Sequence, residues 1–158
     1  MQARWEREGR QDPIEVALNL AEEDEDKAKA APQSVRDISL IEDLDSEVGD
    51  GGFSQYFYES SGDHARETLA ALERVGDTDR ARLLREAMAV FGPQGPSPVE
   101  EKRNAQIEKF TETQDGKLTK LDDAWSDLTE SLTVRLYGYA LEHKEDFPVE
   151  EATSSVTR

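Results

Sequence analysis

The chain has 158 residues, the usual size of one compact domain, and its 36 acidic residues outnumber its 19 basic residues. The net charge of −17 argues against direct nucleic-acid binding, because a protein that neutralises phosphates needs a surplus of Lys and Arg. The absence of cysteine excludes disulfides, thiolate chemistry and cysteine-based zinc sites. Two histidines and an aromatic content of 7% leave little material for ordinary catalysis.

The apolar runs of the sequence are too short to span a membrane, so we expect no membrane association. The first ten residues carry Glu6 and Glu8 and lack an apolar core, which is not the pattern of a signal peptide. We therefore expect a cytoplasmic location. The apolar fraction of 35% is low, but apolar residues recur at helical spacing from Leu40 to Phe147, so this region is predicted to have a core.

The N-terminal residues predict one helix followed by an acidic segment. Asp12 and Pro13 are typical of a helix start, because Asp caps free N–H groups and Pro is tolerated at the first helical position. Glu22–Asp26 is a run of five acids and is typical of a linker. The predicted organisation has three parts: residues 1–33, packed or frayed; residues 34–148, a helical domain; and residues 149–158, a flexible tail.

The next segment predicts a helix from Ser34 to Gly49. Ser34 and Asp37 have the spacing of a capping box, in which two side chains satisfy backbone N–H groups at a helix start. An apolar stripe follows at helical spacing: Ile41, Leu44 and Val48. Glycine commonly ends a helix because it lacks the side chain that restricts the backbone, so we expect the helix to end at Gly49.

Residues 50–58 predict a glycine turn and a short aromatic helix. Asp50-Gly51-Gly52 is typical of a tight turn with positive φ, and Gln55 is expected to hydrogen-bond backbone groups of that turn. A strand over Phe53–Tyr58 would alternate poorly between apolar and polar residues, whereas a helix stacks Phe53 on Phe57. We expect the aromatic side chains to be core, with a ligand-binding platform as the alternative.

The rest of the chain predicts further short helices. The expected caps and breaks are Asp63, Gly76, Asp77, the capping box Ser97-Pro98-Val99-Glu100, and Asp115-Gly116. From Leu118 to Tyr139 the apolar periodicity predicts either one long helix or two helices with a break near Thr129. The predicted fold is all-α, a compact bundle of six to eight mostly short helices.

Catalytic and metal-binding patterns are weak. Asp43-x-Asp45-x-Glu47 begins like a calcium loop but lacks Gly at the sixth position and Glu at the twelfth, so a solvated acidic helix face is favoured. His64 and His143 do not have the spacing of paired metal ligands. Asp122-Asp123 is not a good acid–base pair, because adjacent helical residues point in different directions. We expect no catalytic residue, no metal site and no cofactor.

Negative charge is concentrated in two regions. Residues 36–66 contain eight acids and two bases, and residues 120–158 contain nine acids and four bases. Spread evenly over a folded chain, the net charge would average roughly one per 470 Å², against roughly one per 110 Å² for duplex DNA, so only a clustered face would imitate DNA. Two rows of carboxylates are expected: Glu42 and Asp45 with Asp37, and Glu142 with Glu145 and Asp146.

The segment EVGDGGFSQYFYESSGD at residues 47–63 resembles the signature of a bacterial family of small helical proteins grouped around a DNA-mimic protein. Its most specific part is Gly-Gly-Phe-x-Gln at residues 51–55, and the resemblance extends roughly from Leu40 to Phe147. It implies an all-α fold, no enzyme activity and a protein partner. Three residues stand where the family usually has Asn: Gly49, Asp50 and Glu59.

The leading hypothesis is a non-enzymatic acidic protein-binding domain that occupies the DNA-binding surface of a basic partner protein. Charge-assisted hydrogen bonds from Lys and Arg to carboxylates would provide the binding. Charge clustering selects these candidate partner contacts: Glu42, Asp43, Asp45, Asp50, Glu59 and Asp63, followed by Glu142, Glu145 and Asp146.

Two other hypotheses remain open. One is a scaffold or immunity-type interaction module that binds through an apolar groove near Phe53–Tyr58, with the acidity serving solubility. The other is a hydrolase or metal protein that uses His64 or His143 together with carboxylates.

Overall fold

The computed structural model describes residues 1–150, and its regular structure there is helical. The α-helices of these residues are α1 Gln2–Glu6, α2 Pro13–Leu20, α3 Glu25–Ala30, α4 Gln33–Tyr58, α5 Ala65–Val75, α6 Thr78–Ala89, α7 Glu100–Glu108, α8 Glu112–Ser126 and α9 Leu132–Glu142. Short 3-10 turns follow α4 and α9, at Ser60–His64 and Lys144–Asp146. Seven of these nine helices have eight residues or more, and in the described part of the chain none is long and apolar enough to cross a membrane. The all-α prediction is confirmed.

The chain divides into two compact units. Unit 1 contains Met1–Ser39 and the described residues from Leu132 onward, and unit 2 is Leu40–Ser131. Helix α4 contributes residues to both units. The domain limits expected from composition stay a prediction, and residues 151–158 of the expected tail lie outside the described residues.

In unit 1 the N-terminal residues belong to the core. The indole ring of Trp5 is buried and meets Phe147 edge to face, with ring centroids 5.3 Å apart. Asp12 caps α2 as predicted, and it also accepts a hydrogen bond from the hydroxyl of Tyr137 in α9. The acidic run that composition assigned to a linker contains Asp24, which caps α3. Helical structure therefore resumes within this acidic run, at Glu25.

Asp37 is a buried acid and not part of a surface row. It has no exposed surface, and it accepts hydrogen bonds from Nε2 of Gln33 at 2.9 Å and from the hydroxyl of Tyr139 at 2.6 Å. These donors satisfy a carboxylate that burial would otherwise penalise. The expectation that Asp37 extends the row of Glu42 and Asp45 is therefore wrong.

The core of unit 2 is built on the aromatic residues of α4. Phe53, Tyr56 and Phe57 have no exposed surface. Phe53 and Phe57 stack with ring centroids 6.4 Å apart, as the helical spacing predicted. Edge-to-face contacts join Phe57 to Phe91 and Phe53 to Trp125. The aromatic run is core, and Tyr58 at its end is the member whose side chain is largely exposed.

Several helix ends of the chain follow the predicted signals. Gly76 adopts φ +83° and ends α5, because this left-handed conformation favours glycine. Asp77 caps α6 by accepting the backbone N–H of Arg80. The long periodic segment forms two helices, and the break between Ser126 and Leu132 includes Thr129.

Three other signals are wrong. Asp63 does not cap α5, because it lies inside the preceding 3-10 turn. Ser97 accepts the N–H of Val99 in a local turn, so α7 begins only at Glu100 and the capping box is not formed. Gly116 lies inside α8 rather than breaking it. Asp63 and Ser97 both have local roles that helix-start rules do not distinguish from a cap.

A kink at Gly51 and Gly52 bends α4, so the predicted glycine turn with positive φ is confirmed, whereas the first helical segment runs past the expected end at Gly49. Gly51 has φ −152° and ψ 17°, and Gly52 has φ +77° and ψ −176°. The backbone N–H of Phe53, freed by the kink, donates to a carboxylate oxygen of Asp122 at 2.8 Å. A Cβ atom at Gly52 would lie 2.3 Å from the other oxygen of that carboxylate. Both the positive φ and the close contact require glycine at this position.

The side chain of Gln55 completes the kink. A Cβ atom at Gly51 would lie 2.1 Å from Oε1 of Gln55, so this side chain folds over the bend. Its Nε2 donates to the carboxylate of Glu47 at 2.7 Å, which corrects the expected bond to turn backbone. The Gly-Gly-Phe-x-Gln segment therefore has a structural role, with Asp122 as its distant partner.

We predict opposite effects of alanine at two glycines of α4. Gly52→Ala should lower the free energy of unfolding by about 2–4 kcal/mol, because it strains the backbone and displaces the carboxylate of Asp122. Gly49→Ala should raise it by about 0.5–1 kcal/mol, since Gly49 is helical and has open space around it. Urea denaturation followed by circular dichroism measures both. A change of the same sign in the two variants would contradict the described kink.

Candidate protein-binding site

The candidate site of unit 2 is the solvent-accessible side of α4 before the kink. We call it the acidic face, and its members are Glu42, Asp43, Asp45, Glu47 and Asp50. The apolar stripe of the same helix segment is buried, and the five acids occupy the arc of the helix outside that stripe. Ion pairs within residues 1–150 involve other carboxylates. The acidic face therefore has no cation of its own within 4 Å in the described structure.

Burial and mutual repulsion raise the pKa of two members of the acidic face. For Glu42, burial is the larger cause, followed by the negative charges of Asp45 and Asp43. For Asp43, burial again raises the pKa most and the charge of Glu47 adds to it, while His64 opposes them. Ionised carboxylates at these positions are thus less favourable than in water, and a nearby cation would relieve that cost.

Two other members are held by neutral donors. The indole N–H of Trp125 donates to Asp45 at 3.3 Å, and Nε2 of Gln55 donates to Glu47 at 2.7 Å. These bonds fix the orientation of the carboxylates without neutralising their charge. Asp50, directly before the kink, is exposed. Glu47 was absent from the candidate contacts, although its i,i+4 spacing from Asp43 was a signal that could have included it.

A buried arginine fixes the end of α4, where two more candidate contacts lie. The guanidinium of Arg103 has no exposed surface, and it donates to the carbonyls of Phe57, Glu59 and Ser97. It also pairs with the carboxylate of Asp63 at 2.9 Å. The charge of Asp63 is therefore compensated within the chain, whereas Glu59 is exposed and its carboxylate is not held by this arginine.

The candidate contacts of unit 1 have mixed surroundings. Glu145 pairs with Arg10 at 3.4 Å, and Asp146 accepts a hydrogen bond from the hydroxyl of Ser34 at 2.8 Å. Glu142 is exposed at the end of α9. Two of these three acids are thus already engaged by other residues of the unit.

The surroundings of the histidines do not resemble a metal centre. His64 lies 3.3 Å from the carboxylate of Glu67, and the ring of His143 packs against Tyr139 at a centroid distance of 4.6 Å. Within residues 1–150, no three or more His, Asp or Glu side chains are grouped so that they could hold a metal ion.

The fold and the acidic face define a small all-α protein with a carboxylate-rich surface on one helix. A family model described as "DMP19-like protein" matches residues 29–143, which is most of the chain. The chain therefore belongs to the DMP19-like family, and the resemblance seen at residues 47–63 to a family grouped around a DNA-mimic protein is confirmed. No curated protein and no solved structure matches the chain.

We predict that Asp43→Asn stabilises the protein in a pH-dependent way. At pH 7 the gain should be about 0.2–0.5 kcal/mol, because the substitution removes an i,i+4 like-charge pair with Glu47. Since the folded-state pKa of Asp43 is raised, the penalty is present above that pKa and disappears as the pH falls below the ordinary range of a carboxyl group. Denaturation at pH 7, and again at a pH below the ordinary range of a carboxyl group, measures the gain in the free energy of unfolding. Glu108→Gln is the control at an exposed position. An equal gain at both pH values would contradict this assignment.

We predict that Arg103→Met destabilises the protein by about 3–5 kcal/mol, because three carbonyls and one carboxylate lose their buried donor. Asp63→Asn should cost less, since the three carbonyls still accept from the guanidinium. Thermal unfolding of both variants compares the two losses. Similar losses would mean that the ion pair, rather than the carbonyl contacts, dominates this site.

Proposed function

We propose that this chain is a non-enzymatic acidic protein that binds the DNA-binding surface of a basic partner protein as a DNA mimic. The acidic face and Glu59 are the proposed primary contacts, and they would accept hydrogen bonds from Lys and Arg. Asp63 and the three unit 1 acids, Glu142, Glu145 and Asp146, are secondary contacts. Membership of the DMP19-like family supports this proposal.

The observation that carries the proposal is the uncompensated charge of the acidic face. Glu42 and Asp43 are half-buried beside other carboxylates, and their raised pKa values mean that ionisation costs stability in the free protein. Arginine residues of the described chain form ion pairs with carboxylates outside the acidic face. Within residues 1–150 the acidic face therefore lacks ion pairs, although the chain contains basic residues. A cationic partner would stabilise these ionised carboxylates on binding. Such a role explains why the chain keeps negative charges that destabilise the free protein.

The local charge density also supports mimicry. The acidic face places five carboxylates along residues 42–50, a helix length of about 12 Å, or about one charge per 2.4 Å of axis. Duplex DNA carries about one charge per 1.7 Å of its axis. The two densities are similar, although the average over the whole chain is far below that of DNA. A partner with Lys and Arg side chains spaced for phosphates would therefore meet a comparable row of negative groups.

The test is a capture experiment with the immobilised full chain and a lysate of the source organism. We expect a basic DNA-binding protein that elutes early in a salt gradient and is displaced by duplex DNA. The variant Glu42→Gln/Asp43→Asn/Asp50→Asn should weaken capture by about tenfold or more. The matched control Glu100→Gln/Glu101→Gln/Glu108→Gln removes the same charge from exposed positions of α7 and should retain most of the binding.

Each alternative outcome has a defined meaning. A partner that resists salt and duplex DNA would contradict mimicry and favour an apolar interaction module. Equal losses in the two triple variants would contradict a specific role of the acidic face, because net charge alone would then control the association.

A further inference from the structure

A groove of about 390 Å³ lies between α6 and α8 of unit 2. The two helices run antiparallel, because Gln114 near the start of α8 donates to the carbonyl of Val90 after α6, while Arg80 near the start of α6 lies over Trp125 near the end of α8. The floor of the groove is apolar and consists of Leu83, Val90, Leu121 and Ala124. The stretch of α6 along this floor is about 10 Å long.

The rim of the groove is basic, in contrast to the rest of this acidic protein. Arg82 lies on the rim and pairs with Glu86 at 3.1 Å. Lys117 and Lys120 lie on the opposite helix, are exposed, and are neighbours at i,i+3 spacing. The ion pairs of residues 1–150 involve other bases, so the two ammonium groups have no carboxylate within 4 Å in the described structure.

We propose that this groove binds a small amphipathic anion, an apolar body that carries a carboxylate or a phosphate. One anionic head placed between Lys117 and Lys120 accepts charge-assisted hydrogen bonds from both. The apolar body lies along Leu83 and Leu121, and the volume of the groove is in the range of small-molecule sites. The net negative charge of the chain repels anions from most of its surface. The positive charge of this rim therefore determines where an anionic head group binds.

The probe for this site is decanoate, compared with 1-decanol and acetate by isothermal titration and by ¹H–¹⁵N chemical shifts of the full chain. We expect decanoate to bind with a Kd of about 1 mM or tighter, and both comparators to bind at least about fivefold more weakly. Lys117→Gln/Lys120→Gln should weaken decanoate about fivefold and leave 1-decanol unchanged. Ala124→Phe, which fills the floor, should weaken both.

The matched control is Lys102→Gln/Lys109→Gln, which removes two exposed lysines of the α7 region and should leave decanoate binding unchanged. The proposal is overturned if decanoate does not saturate the groove, if decanoate and 1-decanol bind equally, or if both lysine variants behave alike. It is also overturned if sedimentation shows self-association that Lys117→Gln/Lys120→Gln abolishes, because a second copy would then cover the groove.

Discussion

Unit 2 depends on one polar contact, the hydrogen bond from the backbone of Phe53 to the carboxylate of Asp122. This contact satisfies an N–H group that the kink at Gly51 and Gly52 removes from the helical ladder. The bend lets one helix present an acidic face before it and bury three aromatic rings after it. Arg103 then fixes the end of the same helix through its carbonyl groups. The signature segment is therefore a scaffold, and the proposed binding surface precedes it.

A comparison of Asp122 with Asp43 separates an acid whose charge the fold satisfies from an acid whose charge it does not satisfy. Burial raises the pKa of both carboxyl groups. The backbone N–H of Phe53 opposes that shift at Asp122, so the fold itself supplies a donor. At Asp43, burial raises the pKa most and the charge of Glu47 raises it further. The group that lowers this pKa is the exposed His64. Both acids are partly buried, but the charge of Asp43 is unsatisfied by the fold.

The sequence predicted those features of the fold that depend on near neighbours. Asp12, Gly76 and Asp77 act within one helical turn, so their identity and position were enough to predict where helices start or end. Gly49 lies in a segment with three glycines, and the position of the kink among them depends on Asp122, which is 69 residues from its donor Phe53. Asp37 was mistaken for a surface acid because its partner Tyr139 is 102 residues away in sequence.

For the candidate site, too, the sequence predicted what depends on near neighbours and missed what depends on remote residues. Spacing along a single helix was sufficient to group Glu42, Asp43 and Asp45, because helical neighbours three or four residues apart lie side by side. Spacing could not distinguish free from compensated acids, since Asp63 meets a base 40 residues away. Arg103 gave no sequence signal, because nothing in its local pattern indicates that a charged side chain in α7 is fully buried.

The acidic composition by itself does not decide between solubility and mimicry. Averaged over the surface, the net charge is several times less dense than that of DNA, and such an average is compatible with a protein that is merely well solvated. Placement along α4 changes this comparison, because one short helix segment concentrates five carboxylates to a density near that of the duplex. The kink limits the length of this row to about 12 Å, so in the proposed complex α4 alone would meet only a short row of cationic side chains. In the proposed complex the exposed Glu59, directly after the helix, would add one contact to those of the straight segment.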